Sequence, residues 1–431
     1  MRLMQAKWLW GVRRLLGKIW APVVGYGLVG VVVAVAAPFV PRFLPAGLTS
    51  KIGVESVEPI LTILATSMLS VTTFSLSIMV AAYSTAAGGA TPRAIQLLQG
   101  DRTTQRVLAS FIGAFVFALV GIIGISARVY GEEGRFVLFI ATIGMIIAIV
   151  FNLMRWVQHL TNFGRLTDTV ARMETAFSEA FEMRLAEPSF GGHIGKHIPD
   201  EGRPIVSNKV GYVQHLDVGA LAKLAKTLDA RIYVTAIPGD FVHAGTALAY
   251  LVGDHLPIHL DDEPEGAELV ISKAVGSAFS VDDTRTFDQD PEFGAIALSE
   301  VASRALSPAV NDPGTAIDVL GRLVRVFSLW PMRERVTVAH VAVWVPALDA
   351  GRILAAAVGP IARDGAALRE VMIHVIDALA ALDHIAPEAY GAAARTQAAR
   401  AVALARGAMA FGPDAEEIAE LAAAKGLIDL I

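Results

Sequence analysis

The sequence predicts a membrane protein with four N-terminal transmembrane α-helices, followed by an α+β cytoplasmic body. Three observations support this fold class. The mean hydropathy of the chain is +0.53, only 18% of its 431 residues are charged, and four long windows near the N-terminus contain no charged residue. Such a composition is typical of membrane proteins and too apolar for an ordinary soluble domain.

The four uncharged windows are long enough, or nearly so, for membrane-spanning helices. They cover 19–41, 59–92, 107–127 and 136–154. A helix needs roughly 20 residues to cross a hydrocarbon core. The second window exceeds that length, so we expect its helix to stop near Tyr83, before the stretch AAGGATP. The first window alone resembles a signal peptide, but three spans follow it, which favours a retained first helix.

The flanking charges predict that both termini are cytoplasmic. The N-terminal segment and the loop between the second and third spans carry eight Lys and Arg residues, whereas the other two loops carry four. Loops rich in Lys and Arg stay on the cytoplasmic side. The whole-chain charge agrees, because residues 155–431 hold 36 acidic and 24 basic residues. An acidic body argues against nucleic acid as a partner.

The second predicted span carries a stripe of hydroxyl side chains. Their spacings of three and four place them on one helix face: Thr62, Thr66, Ser70, Thr73 and Ser77. Such a stripe either packs against another helix or lines a water-filled path. No Asp, Glu, Lys, Arg or His lies inside the predicted spans, which argues against a pump or an ion-coupled carrier.

A helix is expected to continue beyond the fourth span, within a connecting segment at 158–200. Apolar residues recur there at spacings of three and four, close to a heptad seam: Leu160, Phe163, Leu166, Val170, Met173, Phe177 and Phe181. This seam predicts packing against a neighbour, in the same chain or in another subunit. We therefore expect a homo-oligomer.

Residues 201–265 are expected to form a small β module. Two strand-rich stretches flank a short helix, and their order resembles half of a barrel-sandwich hybrid, as in biotinyl and lipoyl carriers and membrane-fusion adaptors. The resemblance rests on six positions: Gly211, Tyr212, Gly239, Asp240, Val242 and Gly245. A carrier needs a modifiable lysine at the hairpin tip, and none lies there. The segment is therefore interpreted as a compact β module that carries no cofactor.

Several patterns resemble functional motifs without matching them. The stretch GGHIGKH at 191–197 is one residue shorter than a phosphate loop and has His197 where Ser or Thr binds magnesium. The histidine pairs 193/197 and 255/259 have metal-like spacing, but a solvated turn explains each pair better. With no cysteine in the chain and no nucleophile–base set, we expect neither a metal site nor an enzyme.

Residues 266–431 are expected to be mainly helical and to include a polar unit at 285–315. Three capping residues each precede a proline there: Asp290-Pro291, Ser307-Pro308 and Asp312-Pro313. Such pairs start helices, because the side chain accepts from free N–H groups and proline fits the first turn. They predict helices at 291–306 and 313–329 with a turn at 307–311. Alanine-rich helices follow and complete a bundle.

Polar side chains of this unit surround the predicted helix starts and form a candidate site for a small anion or other ligand. They are Arg285, Asp288, Asp290, Arg304, Asn311, Asp312 and Thr315. Helix N-termini bind anions through their free N–H groups and the helix dipole. The alternative is structural, with the aspartates capping helices and pairing with the two arginines.

The polar unit also carries a family resemblance. The stretch RTFDQDPEFG…LSEVASRALSPAVNDPGTAI, the TPR at 91–93 and the four spans are similar to the bacterial predicted membrane proteins grouped as domain of unknown function 2254. RALSPAVNDPGTA is its most specific part, and Thr91 departs from the usual Ser. The resemblance covers nearly the whole chain. It implies a multi-pass protein of the bacterial inner membrane and assigns no activity.

These patterns predict four segments and two alternative functions. The segments are a transmembrane domain at 1–157, the connecting segment at 158–200, the β module at 201–265 and the helical domain at 266–431. The leading hypothesis is a homo-oligomeric passive ion channel or small-solute pore in the lipid bilayer, which the cytoplasmic body assembles or gates. The alternative is a membrane-anchored ligand-sensing or scaffolding protein without transport activity.

Overall fold

The described part of the chain falls into two compact units. We call the described residues within 20–88 and 92–169 the membrane unit, and those within 89–91 and 170–429 the C-terminal body. The computed structural model describes residues 20–36, 39, 57–161, 163–195, 197–253, 264–332 and 338–429.

The membrane unit consists of helices. They are α1 (Trp20–Ala36), α2 (Val57–Gly89), α3 (Ala94–Gln99), α4 (Arg102–Ser126) and α5 (Glu132–Leu160). Helices α2, α4 and α5 are long and apolar enough to cross a membrane. The described helix α1 has 17 residues and spans about 26 Å at 1.5 Å per residue. The remainder of the first predicted window lies outside the described residues, so a fourth span remains a prediction.

Helix α2 is longer than expected. The sequence predicted a stop near Tyr83, but the helix continues to Gly89. Alanine favours the helix, and two consecutive glycines at the very end do not interrupt it. Pro92 follows three residues later, and a residue before proline is disfavoured in the helical conformation. The proline, rather than the small residues before it, is therefore what ends this helix.

Helices α1 and α4 approach closely through glycine. A Cβ atom added to Gly113 of α4 would lie 2.9 Å from the carbonyl oxygen of Tyr26 in α1. A Cβ atom added to Gly30 of α1 would lie 2.7 Å from the carbonyl oxygen of Gly113. The Tyr130 hydroxyl also donates to the carbonyl oxygen of Ala34, at 2.8 Å. Small residues are the usual means of such close packing between membrane helices.

The helix predicted to continue beyond α5 is interrupted. Helix α5 ends at Leu160, and α6 (Leu166–Ala186) starts after a break that includes Gly164 at φ +79°. A Cβ atom at Gly164 would lie 2.8 Å from Cβ of Ala82, so a continuous helix carrying an ordinary side chain does not fit there.

The apolar seam of α6 is buried inside the C-terminal body. Val170, Met173, Phe177 and Phe181 are at most 2% exposed. The rings of Phe177 and Phe181 lie 5.5 and 5.9 Å from the ring of Phe327. This part of the predicted seam therefore packs within the chain and offers no free surface to another subunit.

Two sheets form the β part of the C-terminal body. Their strands are β1 (Gly192–Ile194), β2 (Arg203–Val206), β3 (Gly211–Leu216), β4 (Arg231–Val234), β5 (Phe241–Val242), β6 (Ala247–Val252), β7 (Phe279–Asp282) and β8 (His340–Val345). The larger sheet has the order β1-β8-β4-β6-β2, and the smaller has the order β5-β3-β7. Strand β8 runs parallel to both β1 and β4, whereas the other pairs are antiparallel.

The sheets do not close into a barrel in the described residues, so the predicted barrel-sandwich arrangement is not confirmed. Strands β1, β7 and β8 come from outside the predicted range 201–265 and extend the two sheets sideways. Buried apolar side chains from both sheets and from α7 (Val218–Thr227) form one core. Helix α8 (Pro264–Ser277) lies between β6 and β7 in the chain.

The remainder of the C-terminal body is the predicted helical bundle. It contains α9 (Pro291–Ala305), α10 (Pro313–Phe327), a short 3₁₀ turn (Trp330–Met332), α11 (Ala350–Asp364), α12 (Arg369–Ile385), α13 (Pro387–Ala408) and α14 (Gly412–Ala424). The buried Tyr390 hydroxyl donates to the carbonyl oxygen of Phe327 at 3.0 Å and links α13 to α10.

An ion-pair network joins α6 to α10. Glu174 accepts from Nη1 of Arg322 at 2.6 Å and from Nε of Arg325 at 2.8 Å. Burial by itself would raise the pKa of Glu174, but the bonds from the two arginines lower it below its usual value. The network therefore stabilises the fold only while Glu174 is ionised.

We expect Gly113→Leu to destabilise the membrane unit, because the new side chain meets the backbone of Tyr26, which cannot move aside as a flexible side chain would. Overpacking of this kind costs about 1–3 kcal/mol. Gly144→Leu is the matched control, since nothing lies within 4 Å of a Cβ atom there. Thermal unfolding of the purified proteins in detergent measures the difference. Equal loss of stability in both variants would contradict the proposed close packing.

We expect Glu174→Gln to be less stable than the wild type at neutral pH. A carboxylate whose pKa is lowered on folding adds stability above its unfolded value, here 4.5, and loses it as the pH falls through the folded value. The difference should therefore shrink in acid, in thermal unfolding followed from pH 7 to pH 3. Glu416→Gln breaks an exposed pair with Arg406 and should change stability little.

Candidate functional site

The predicted polar unit divides into two separate places. Asp290 caps α9 by accepting from the N–H of Phe293 at 3.1 Å. Asp312 caps α10 by accepting from the N–H of Thr315 at 3.1 Å. Helix α9 has 15 residues and a length of about 22 Å, so the two helix starts lie at opposite ends of it. They do not converge on one ligand.

The corner between α9 and α10 is a capped turn. No helix begins at Ser307. The N–H of Asn311, at φ +51°, donates to the carbonyl oxygen of Ser307, and that of Asp312 donates to the carbonyl oxygen of Ala305 at 2.8 Å. Bonds from the hydroxyl and N–H of Thr315 lower the pKa of Asp312. Arg304, like Asn311, is exposed. The turn of the chain between α9 and α10 explains these contacts.

The other place is built on a buried ion pair. Nε of Arg285 donates to Oδ2 of Asp290 at 2.7 Å, and Nη2 donates to Oδ1 at 2.9 Å. The Asp290 side chain is only 3% exposed. Burial raises the pKa of Asp290, which the pairing with Arg285 opposes. Asp288, two residues earlier, is exposed, so Arg285 and Asp290 are the predicted residues that the structure brings together.

The turn that resembled a carrier hairpin packs against this ion pair. Gly239 has φ +101°, and a Cβ atom there would lie 2.7 Å from Oδ2 of Asp290. Next to it, Oδ2 of Asp240 accepts from the N–H of Ile237 at 2.9 Å. Burial raises the pKa of Asp240. Only glycine fits at 239, because both the backbone angle and the carboxylate exclude a side chain.

A cavity of about 310 Å³ opens beside the ion pair. This volume suits a small ligand. Its polar lining comes from α6, from the turn at 237–240 and from the first turns of α9 and α11. The charged and amide side chains that line it include Arg184, Asp240, Gln289, Glu292, Asp349 and Arg352.

Arg184 at the end of α6 is the unusual member of this wall. The residue is 1% exposed, its Nη2 donates to the carbonyl oxygen of Pro188 at 3.0 Å, and its guanidinium lies 4.2 Å from the ring centre of Phe190. Among the described residues, nothing accepts from its Nε. Burial lowers the pKa of Arg184 to about 10, so the group is still a cation at neutral pH.

The other charges of the wall are paired. Nη2 of Arg352 donates to Oε2 of Glu292 at 2.9 Å, and its Nη1 lies 3.9 Å from Oδ1 of Asp240. Asp349 caps α11 by accepting from the N–H of Arg352 at 2.9 Å. Gln289 accepts from the N–H of Leu216 at 2.9 Å. Arg184 therefore differs from its neighbours in keeping a donor without a partner.

No sequence pattern predicted a role for Arg184, Glu292 or Arg352. Arg184 lies on an amphipathic helix, and a single arginine in such a helix gives no sign of burial. Asp240 belongs to a predicted turn and was not predicted to line a site. Within the described residues, no three His, Asp or Glu side chains are placed to hold a metal ion. The His193 ring stacks on Trp344 at 4.9 Å, and the pair 255/259 lies outside the described residues.

The hydroxyl stripe of α2 faces away from the rest of the membrane unit. All five of its residues are exposed. Each hydroxyl donates to a carbonyl oxygen one turn earlier, at 2.9 to 3.1 Å, for Thr62, Thr66, Ser70, Thr73 and Ser77. The opposite face of α2 packs into the unit through Leu61, Leu64 and Met68. Among the described residues, the stripe therefore packs against no other helix.

We expect Arg285→Ala to reduce stability by about 3–5 kcal/mol, because it leaves the carboxylate of Asp290 buried without its partner. Adding Asp290→Asn should recover part of the loss, since a neutral amide can still cap α9. Arg304→Ala removes an exposed arginine and should stay within about 0.5 kcal/mol of the wild type. Thermal or denaturant unfolding measures all three. An Arg285→Ala variant as stable as Arg304→Ala would contradict the role of the buried pair.

Comparison with known proteins agrees with the apolar helices of the membrane unit. Uncharacterized proteins of Mycobacterium bovis and Mycobacterium tuberculosis are 24% identical to the chain over 282 residues, which is 64% of this chain and 52% of each relative. The chain thus spans about half the length of these curated relatives. No solved structure matches it. The family described as predicted membrane protein (DUF2254) matches residues 17–381, and the chain belongs to this family.

Proposed function

We propose that the protein forms a homo-oligomeric passive pore for ions or small solutes in the bacterial inner membrane. In this proposal α1 and its flanking residues form a membrane span in addition to α2, α4 and α5, which makes four spans. Both termini are cytoplasmic, and the C-terminal body assembles or gates the pore. A passive path needs no catalytic group and no cofactor. A membrane-anchored ligand-sensing or scaffolding protein remains the alternative.

The observation that carries the proposal is the exposed hydroxyl stripe of α2. A helix face that met only lipid would gain nothing from hydroxyl groups. Here the stripe runs between exposed apolar side chains, with Leu69 and Val80 on one side and Ile63 and Phe74 on the other. Such a face suits contact with further copies of α2, with the apolar flanks packing and the hydroxyls turned to a central axis. One copy supplies one wall, so a ring is needed to enclose a path.

The hydroxyl groups favour cations over anions. Each O–H is directed to its own backbone, as Ser70 is to the carbonyl oxygen of Thr66, which leaves oxygen lone pairs facing outward. Oxygen atoms are the ligands that hard cations take. Glu58, exposed at the start of α2, precedes the stripe, and a ring of such carboxylates attracts cations to a pore mouth.

The test is ion flux through the full-length protein in liposomes. We expect flux of K⁺ or Na⁺ above that of Cl⁻ in the wild type. The variant Thr66→Leu, Ser70→Leu, Thr73→Leu should lower this cation flux by at least about tenfold, because larger apolar side chains make the path narrower and less polar. Thr66→Val, Ser70→Ala, Thr73→Val keeps the volume and should also lower flux. Glu58→Gln should lower the preference for cations.

The matched control changes three equally exposed apolar residues of α5, away from the stripe, as Ile140→Leu, Ile147→Leu, Phe151→Leu, and should keep wild-type flux. All variants are compared at equal incorporation and with the oligomeric state measured for each. A wild-type protein that stays monomeric, or that passes no ion across several salts and voltages, would overturn the proposal. Normal flux in both stripe variants would instead assign the stripe to packing between copies.

A further inference from the structure

We infer that the cavity beside Arg184 is a binding site for a small carboxylate that also carries an amine or a hydroxyl group. The site lies wholly within the C-terminal body and is independent of the pore proposal. It rests on a buried guanidinium with a free donor, on two helix starts at the same cavity, and on the carboxylates of Asp240 and Glu292 in the same wall.

The free donor of Arg184 points to an anionic group. Leaving a buried donor without an acceptor costs about 1–3 kcal/mol, and more when the group is charged. Phe190 and the carbonyl oxygen of Pro188 satisfy only part of the guanidinium. A planar carboxylate matches the geometry of arginine and would accept from the remaining N–H groups. A carboxylate bound to this guanidinium would therefore supply an acceptor that the described residues do not offer.

Two helix starts reinforce this preference. Pro291 and Glu292 in the first turn of α9, and Arg352 in the first turn of α11, line the cavity. Both helices have 15 residues, and each carries about half a positive charge at its N-terminus. Asp290 and Asp349 already cap these helices, so the dipoles add to the attraction of Arg184 for an anion and do not replace it. The helix starts alone would not define a site, and the unpartnered Arg184 is the independent observation.

The carboxylates of the wall set the second requirement. Oδ1 of Asp240 lies 3.9 Å from Nη1 of Arg352, and Oε2 of Glu292 accepts from both Arg285 and Arg352. Each carboxylate has further lone pairs that can accept from an amine or hydroxyl group of a ligand. The same negative charges disfavour a phosphate dianion, whose second charge would meet these acids. Since two arginines and four carboxylates line the cavity, the wall favours a carboxylate that also carries an amine or a hydroxyl group over a simple anion, and the volume of about 310 Å³ admits small ones.

The test is calorimetric titration of the full-length protein in detergent, together with the shift in its thermal midpoint. The probes are the twenty α-amino acids, glycolate and L-lactate, with acetate and inorganic phosphate as references. We expect at least one probe of the first group to bind saturably, with acetate much weaker because it lacks the second group. Phosphate should not compete.

Two variants and one control assign the binding to this cavity. Arg184→Lys keeps the positive charge but removes the planar guanidinium, whose parallel N–H donors match a carboxylate. Arg352→Ala changes a half-exposed side chain and should leave the fold intact. Each should weaken binding by about tenfold or more. Arg395→Ala, which removes an exposed pair with Asp383, should bind as the wild type does. Binding by no amino or hydroxy acid, tightest binding by phosphate, or unchanged binding in both variants would overturn the inference.

Discussion

The buried pair of Arg285 and Asp290 is the interaction on which the C-terminal body depends. One carboxylate caps α9, holds a guanidinium at two points and fills the space that Gly239 leaves open. Burial makes this arrangement all or none, since either charge alone would be left in a medium that does not solvate it. The first turn of α9, the glycine turn of the β part and the cavity wall are therefore positioned together.

The hydroxyl groups of α2 are satisfied in the opposite way, within their own helix. Each hydroxyl of the α2 stripe uses a carbonyl oxygen of its own helix, so exposure to lipid costs little and no partner helix is required. Close packing between α1 and α4 depends instead on Gly30 and Gly113, which have no side chain and so leave room for backbone contact. Among the described residues, the hydroxyl face of α2 is therefore an exposed surface.

Arg184 has the character of a residue retained for function. Its burial and its unused Nε both lower stability, whereas an apolar side chain of similar size would satisfy the core around Phe190. Sites where local rules are broken are where binding is expected. The neighbouring carboxylates are already paired, and Arg184 is the cation on which the proposed binding of a carboxylate in this cavity rests.

The sequence by itself determined the apolar helices, the hydroxyl stripe and the proline-marked helix starts. These depend on spacing along one segment and on local bonds, as the caps at Asp290 and Asp312 illustrate. Only the tertiary structure decided where strand β8 pairs and that Arg184 is buried at a cavity. Parallel pairing of β8 with β1 and β4 joins segments about 100 or more residues apart, and burial depends on every element packed around a residue. Neither the pairing of β8 nor the burial of Arg184 leaves a periodic signal in the sequence, because the residues that pair or pack together are distant along the chain.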